Sequence, residues 1–197
     1  MSAQSMCHRF LLVCVGVAAL VFVAGCDGGA TDSDSVLIRW TFGDDLEDWE
    51  AGTDQSGGWG DVAMSNHDAL PDASDEDDGS VKLDGTGDPG EPNAWIYNND
   101  LALPDDAATL AYYAAGHDRD GGDSNLRVRL VDGSGTGHTL SDWEEFTGSE
   151  GEHNWEERMV SVAAYAGQTV TLFFEQDDNG PGSHEQIYLD EIRILRD

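Results

Sequence analysis

The chain has 197 residues, with 40 aspartates and glutamates against nine lysines and arginines, a formal net charge of −31. That length suits one domain with a real core. The charge repels nucleic acid and anionic lipid surfaces, which makes both poor partners.

The N-terminus carries one cation, Arg9, followed by 15 apolar and small residues from Phe10 to Ala24. A membrane-spanning helix needs about 20 such residues, so the run fits the apolar region of an export signal. It closes on Val23-Ala24-Gly25-Cys26, which resembles the lipobox of bacterial lipoproteins. The resemblance implies cleavage before Cys26 once its thiol has taken a diacylglycerol. Residues 1–25 are then a lipoprotein signal peptide, and residues 26–35, rich in Asp, Gly and Ser, a lipidated flexible tether. The expected location is the extracytoplasmic side of the cell membrane or envelope, where two or more acyl chains anchor stably. The competing reading is an N-terminal membrane helix with a chance cysteine at its end.

Removing residues 1–25 also removes Cys7 and Cys14, so no internal disulfide is available to the remainder. All 40 acidic residues remain against eight basic ones, a net −32, and Lys82 is the only lysine. Two explanations compete for this surplus. One is adaptation to high salt, where the Debye length shrinks to ~3 Å at 1 M and self-repulsion is relieved. The other is divalent-cation binding in acidic loops. Scarcity of lysine along the whole chain favours a halophilic surface.

The β-formers come in short runs: Val36–Phe42, Val81–Asp84, Ala94–Tyr97, Leu126–Val131, Arg158–Val162, Thr169–Glu175 and Gln186–Leu195. Leu126, Val128 and Leu130 alternate with Arg127 and Arg129, and Val170, Leu172 and Phe174 repeat that period of two. Glycines in Asp-, Asn- and Ser-rich clusters punctuate the runs as turns. Pro104–Gly116 is alanine-rich and bounded by helix start and stop signals. As a strand it aligns Leu110, Tyr112 and Ala114, and a strand is the reading adopted. The sum is an all-β antiparallel sandwich or barrel over residues 36–197.

Three segments resemble the galactose-binding-like jelly rolls of carbohydrate-binding modules and bacterial adhesins. They are Trp40–Trp49, with a phenylalanine, an acidic loop and a tryptophan; Trp155–Glu175, with its Tyr-Ala-Gly-Gln-Thr-Val corner; and the closing Ile187–Ile194 with an acidic pair. The resemblance implies a jelly-roll β-sandwich. It also implies a structural calcium between the first loop and the last strand, with Asp190 as ligand. The glutamate that follows the opening phenylalanine in those domains is Gly43 here, so Asp44 or Asp45 would take its part. The alternative is an ordinary acidic pair, Asp190 and Glu191, at a strand bulge.

Other constellations are weaker. Asp118, Asp120 and Asp123 lack EF-hand spacing, and they and Asp177–Gly182 read as solvated loops. The glycines of Gly133–Gly137 open no helix and read as a turn. His67, His117, His138, His153 and His184 never fall at zinc-ligand spacing. No nucleophile elbow accompanies Ser141 or His153, so catalysis is not expected. Trp40 and Trp49 are expected in the core. Trp59, Trp95 and Trp143, beside polar residues, are the candidate carbohydrate-binding residues, since an aromatic face stacks on the apolar face of a sugar ring. The expected function is a non-catalytic carbohydrate-binding or adhesion module, with a polysaccharide or a surface protein as partner. The alternatives are a scaffold lipoprotein without a small ligand and, behind it, a hydrolase.

Overall fold

The computed structural model describes residues 35–43, 45–54, 59–66, 79–86, 90–118, 124–147, 154–178 and 185–196. Every described strand belongs to one unit, Asp32–Asp197. Cys26, the expected signal segment 1–25 and Asp44 lie outside the described residues.

In chain order the strands are β1 (Val36–Trp40), β2 (Glu50–Thr53), β3 (Trp59–Ser65), β4 (Ser80–Thr86), β5 (Ala94–Ala102) and β6 (Ala107–Asp118). They continue as β7 (Ser124–Val131), β8 (Gly137–Phe146), β9 (Glu156–Ser161), β10 (Thr169–Asp178) and β11 (Glu185–Arg196). One sheet has six strands in the order β3-β4-β11-β6-β9, with β1 beside the last residues of β11. The other has five, in the order β2-β5-β10-β7-β8. Every pairing is antiparallel. The molecule is a jelly-roll β-sandwich.

Period-two patterning decides what lies between the sheets. Leu126, Val128 and Leu130 of β7, Val170, Leu172 and Phe174 of β10, and Leu110, Tyr112 and Ala114 of β6 are all buried. Trp49 packs among Trp40, Phe42 and Phe174, with ring centroids 5.3, 6.3 and 5.6 Å away. Tyr112 meets Phe174 edge-on at 5.0 Å. Both opening tryptophans are therefore core, as their place in the motif suggested.

The alanine-rich segment is a strand because it sits between β11 and β9, where ladder pairing overrides alanine's helix preference. Its small residues also match the packing: a Cβ on Gly116 would lie 1.9 Å from the Phe146 carbonyl oxygen. Three strands carry no clear sequence pattern, namely β2, β3 and β8. The expectation for Asp177–Gly182 needs correction. Asp177 and Asp178 are the last residues of β10, and Asp177 is buried, accepting the Gly90 N–H at 2.7 Å. A buried carboxylate needs such a donor, and a solvated loop would not supply it.

β11 serves two neighbours in turn. Its residues Glu185–Leu189 pair with β4, and Ile192–Leu195 pair with β1. Between them the ladder with β6 is interrupted, and Glu191 adopts φ 50°. Asp190 Oδ1 accepts the Glu191 N–H at 2.6 Å, and the Glu191 carboxylate pairs with Arg39. The acidic pair thus sits at a bulge where β1, β4 and β6 converge.

Candidate functional site

Residues that alternate away from the core build the outer face of the five-stranded sheet. On β10 these are Thr171, Phe173 and Glu175; on β7, Arg127 and Arg129; on β5, Trp95, Tyr97 and Asn99. The register lines them up in rows. Glu175 stands between Trp95 and Arg127, and Phe173 between Tyr97 and Arg129. The next row holds Thr171, whose hydroxyl donates to Asn99 Oδ1 at 3.3 Å.

Each aromatic ring on this face is held by a neighbour. The Trp95 indole lies across Gly52 of β2, where a Cβ would stand only 2.2 Å from Nε1. Tyr97 and Phe173 stack with centroids 5.5 Å apart and planes 22° apart. The Arg129 guanidinium lies 5.5 Å over Phe173, and that of Arg127 lies 4.2 Å over Trp143. Trp143 reaches the face because β8 slips register opposite Leu126–Val128. Trp95 on β5 and Trp143 on β8 are three strand spacings apart, about 14 Å at ~4.8 Å each.

The polar groups form a fixed network among the rings. Glu175 is buried and accepts from Arg127 Nε at 2.8 Å, with Arg129 Nε at 3.4 Å. Each guanidinium is therefore held between a carboxylate and an aromatic face. At the β2 edge, Glu50 accepts from the Tyr97 hydroxyl at 2.8 Å and the Asn99 amide at 3.0 Å. The Tyr97 hydroxyl, and after it Asn99, hold the Glu50 carboxyl below its ordinary value, and Glu50 in turn raises the Tyr97 hydroxyl. The result is a rigid platform of half-buried rings with hydrogen-bonding groups between them.

Of the three candidate tryptophans, the structure brings Trp95 and Trp143 to this one face. Trp59 belongs to the other sheet, on β3 opposite Thr86, and its side chain lies outside what is described. Sequence reasoning missed Tyr97, Phe173, Glu175, Glu50 and Gly52. Parity was the available signal for Phe173 and Glu175, which flank the inward Phe174.

The candidate metal residues are placed differently. Asp190 is buried at the bulge, while Asp45 is exposed and its Oδ1 accepts the Glu47 N–H at 2.7 Å. A Cβ on Gly79 would meet the Phe42 carbonyl oxygen at 1.9 Å, so the opening loop abuts the start of β4. Among the described residues no group of three or more His, Cys, Asp or Glu is gathered as a metal site.

Two antiparallel sheets stacked into a jelly roll, one with aromatic side chains on its outer face, define the fold class as a β-sandwich. The structure is similar to the C-terminal family 22 carbohydrate-binding module of Clostridium thermocellum Xyn10B. The TM-score is 0.55 over 84% of this chain and 95% of that one, at 15% identity. It is also similar to the K1 cleaved adhesin domain of Lys-gingipain from Porphyromonas gingivalis W83, with TM-score 0.54, coverage of 81% and 98%, and 17% identity. A xylan-binding family 22 domain gives 0.52, 82% and 95%, and 16%. At such identities the likeness is one of fold. No protein-family model matches the sequence, and no curated protein matches it.

Proposed function

We propose that this domain is a non-catalytic module that binds polysaccharide on the outer face of its five-stranded sheet. The observation that carries the reading is the strip of half-buried rings, Trp95, Tyr97 and Phe173, set beside the Arg127–Glu175–Arg129 network. Flat rings take the apolar faces of sugars, and the fixed polar groups between them take hydroxyls. The fold neighbours support this choice, since family 22 modules are carbohydrate-binding and one of them is xylan-binding. The test is a glycan array with residues 1–25 removed, run in molar sodium chloride with and without calcium. Signal on a defined polysaccharide is expected. A silent array in all conditions overturns the reading in favour of a protein–protein scaffold.

Lipidation of Cys26 would hold this module outside the cytoplasm, at the membrane. The supporting feature is the Val23–Cys26 sequence ten residues before β1. Cys26→Ser is expected to move the chain from the membrane fraction to the soluble one after detergent-free lysis; unchanged fractionation rejects the anchor. The acidic surplus fits a working environment of high salt, which is why the array buffer is saline.

A structural calcium at Asp190, with Asp44 or Asp45, is proposed alongside. It is supported by a buried carboxylate where the opening loop meets β4 and β11. Calorimetry should give one calcium per chain, abolished by Asp190→Ala. No heat from the unaltered protein excludes the site.

A further inference from the structure

The aromatic strip does not end at Phe173. Two and four residues further toward the start of β10, on the same face, Thr171 and Thr169 line a cavity of about 420 Å³. Its other walls are Asp100, Val131, Asp132, Gly133, Gly135 and Val170. A volume of that size falls in the range of small-ligand pockets. It opens beside Asn99 and Thr171, the last row of the platform, so platform and cavity form one continuous path along β5 and β10.

A departure from regular strand geometry builds this cavity. The β5–β10 register slips between Leu101↔Val170 and Asn98↔Leu172, leaving Asn99 and Asp100 opposite Thr171 alone. Asp100 adopts φ 55°, the left-handed region that few non-glycine residues occupy. Bulges of this kind re-aim a side chain, and the Asp100 side chain is exposed at the cavity wall with no described bond engaging it. The facing wall is held fast. Asp132 accepts from Ser134 N at 2.9 Å, Ser134 Oγ at 2.6 Å, Thr136 N at 3.1 Å and His138 Nε2 at 2.9 Å. The Ser134 hydroxyl, followed by His138, keeps that carboxyl well below the usual carboxylate range. Its acceptor capacity is spent on the turn, which leaves Asp100 as the acceptor open to a ligand.

We propose that this cavity is an end subsite that seats one neutral sugar ring of the bound polysaccharide, with the Asp100 carboxylate accepting from two neighbouring hydroxyls. This rests on the polysaccharide reading of the platform. It adds a direction, with the glycan lying along β5 and β10 from Trp95 toward Asp100. It also adds a charge preference, because two carboxylates in the walls repel a uronate. Val131 and the threonine methyl groups supply the apolar floor.

The test is calorimetry on the full chain in detergent micelles, with xylohexaose, cellohexaose and their trisaccharides as probes. Asp100→Asn keeps the shape and tolerates the left-handed backbone, so folding is preserved. It is expected to weaken hexasaccharide binding about tenfold, the loss of one charge-assisted contact set, and to leave trisaccharide binding on the platform unchanged. Trp95→Ala should weaken both. Equal hexasaccharide affinity for Asp100→Asn and the unaltered chain overturns the subsite while leaving the platform reading intact. No heat from any probe with the unaltered chain overturns both.

Discussion

Replacing Trp95 by alanine is expected to weaken polysaccharide binding about thirtyfold, the loss of roughly 2 kcal/mol typical of a central aromatic anchor. The fold should survive, because the indole lies on the outer face and fills no part of the core between the sheets. A second substitution reaches the same ring without removing it. Gly52→Ala places a Cβ 2.2 Å from Nε1 and 2.4 Å from Cε2 of that indole. The ring must lift or turn, and since the conflict is with an outward side chain, the strand itself need not move. Binding should fall with little change in Tm. Measured by affinity electrophoresis or calorimetry on the array-selected glycan, full binding by both variants would remove Trp95 from the site.

Glu175→Gln should cost about 2–3 kcal/mol of folding stability and also weaken binding. The carboxylate is buried beneath two guanidinium groups, at 2.8 Å from Arg127 Nε and 3.4 Å from Arg129 Nε. Glutamine keeps the shape and loses the charge, so two cations stacked on Trp143 and Phe173 face each other without an anion. Hydrogen bonds to charged groups are worth about 1.5–3 kcal/mol. Removing one member of a buried ion pair costs more than the pair contributes, though partial exposure of the arginines moderates that here. Urea unfolding reads the change; a loss below about 0.5 kcal/mol would show that the network is not what fixes the platform. Because Arg127 and Arg129 orient Trp143 and Phe173, the same variant should bind less tightly even where it is fully folded.

The frame of this sandwich was legible in the sequence because burial on one face forces a period of two. β7 announced itself through Leu126, Val128 and Leu130, and β10 through Val170, Leu172 and Phe174. The platform was legible only in part. Trp95 and Trp143 stood out as tryptophans among polar residues, yet nothing local says that β5 and β8 lie in one sheet. That follows from which strands pair, a long-range property. Arg127 and Arg129 were read as alternating with Leu126, Val128 and Leu130, but their partner Glu175 is 46 residues further along from Arg129. β8 was invisible because its two register slips break the alternation that would have marked it. The Asp100 cavity was invisible for the same reason, since a bulge is defined by the partner strand it fails to match. Asp177 was misjudged because an Asp-Asp-Asn-Gly string looks like a turn until the Gly90 amide arrives from another part of the chain.

The place where the chain enters the sandwich has a mechanical consequence. Ser35 O accepts the Arg196 N–H at 2.9 Å, and β1 then runs antiparallel to β11 through to Trp40. The short links between the sheets, through Leu103 and Gly167, close that same end of the molecule. If Cys26 is tied to a membrane while the platform grips a polysaccharide, tension between them reaches the domain at Val36, directed along the strand. Such a pull shears β1 against β11, loading its ladder bonds together, where a sideways pull would open them one by one. Under that proposed load the β1–β11 ladder would meet force in its tougher direction, as suits a link that must hold under drag.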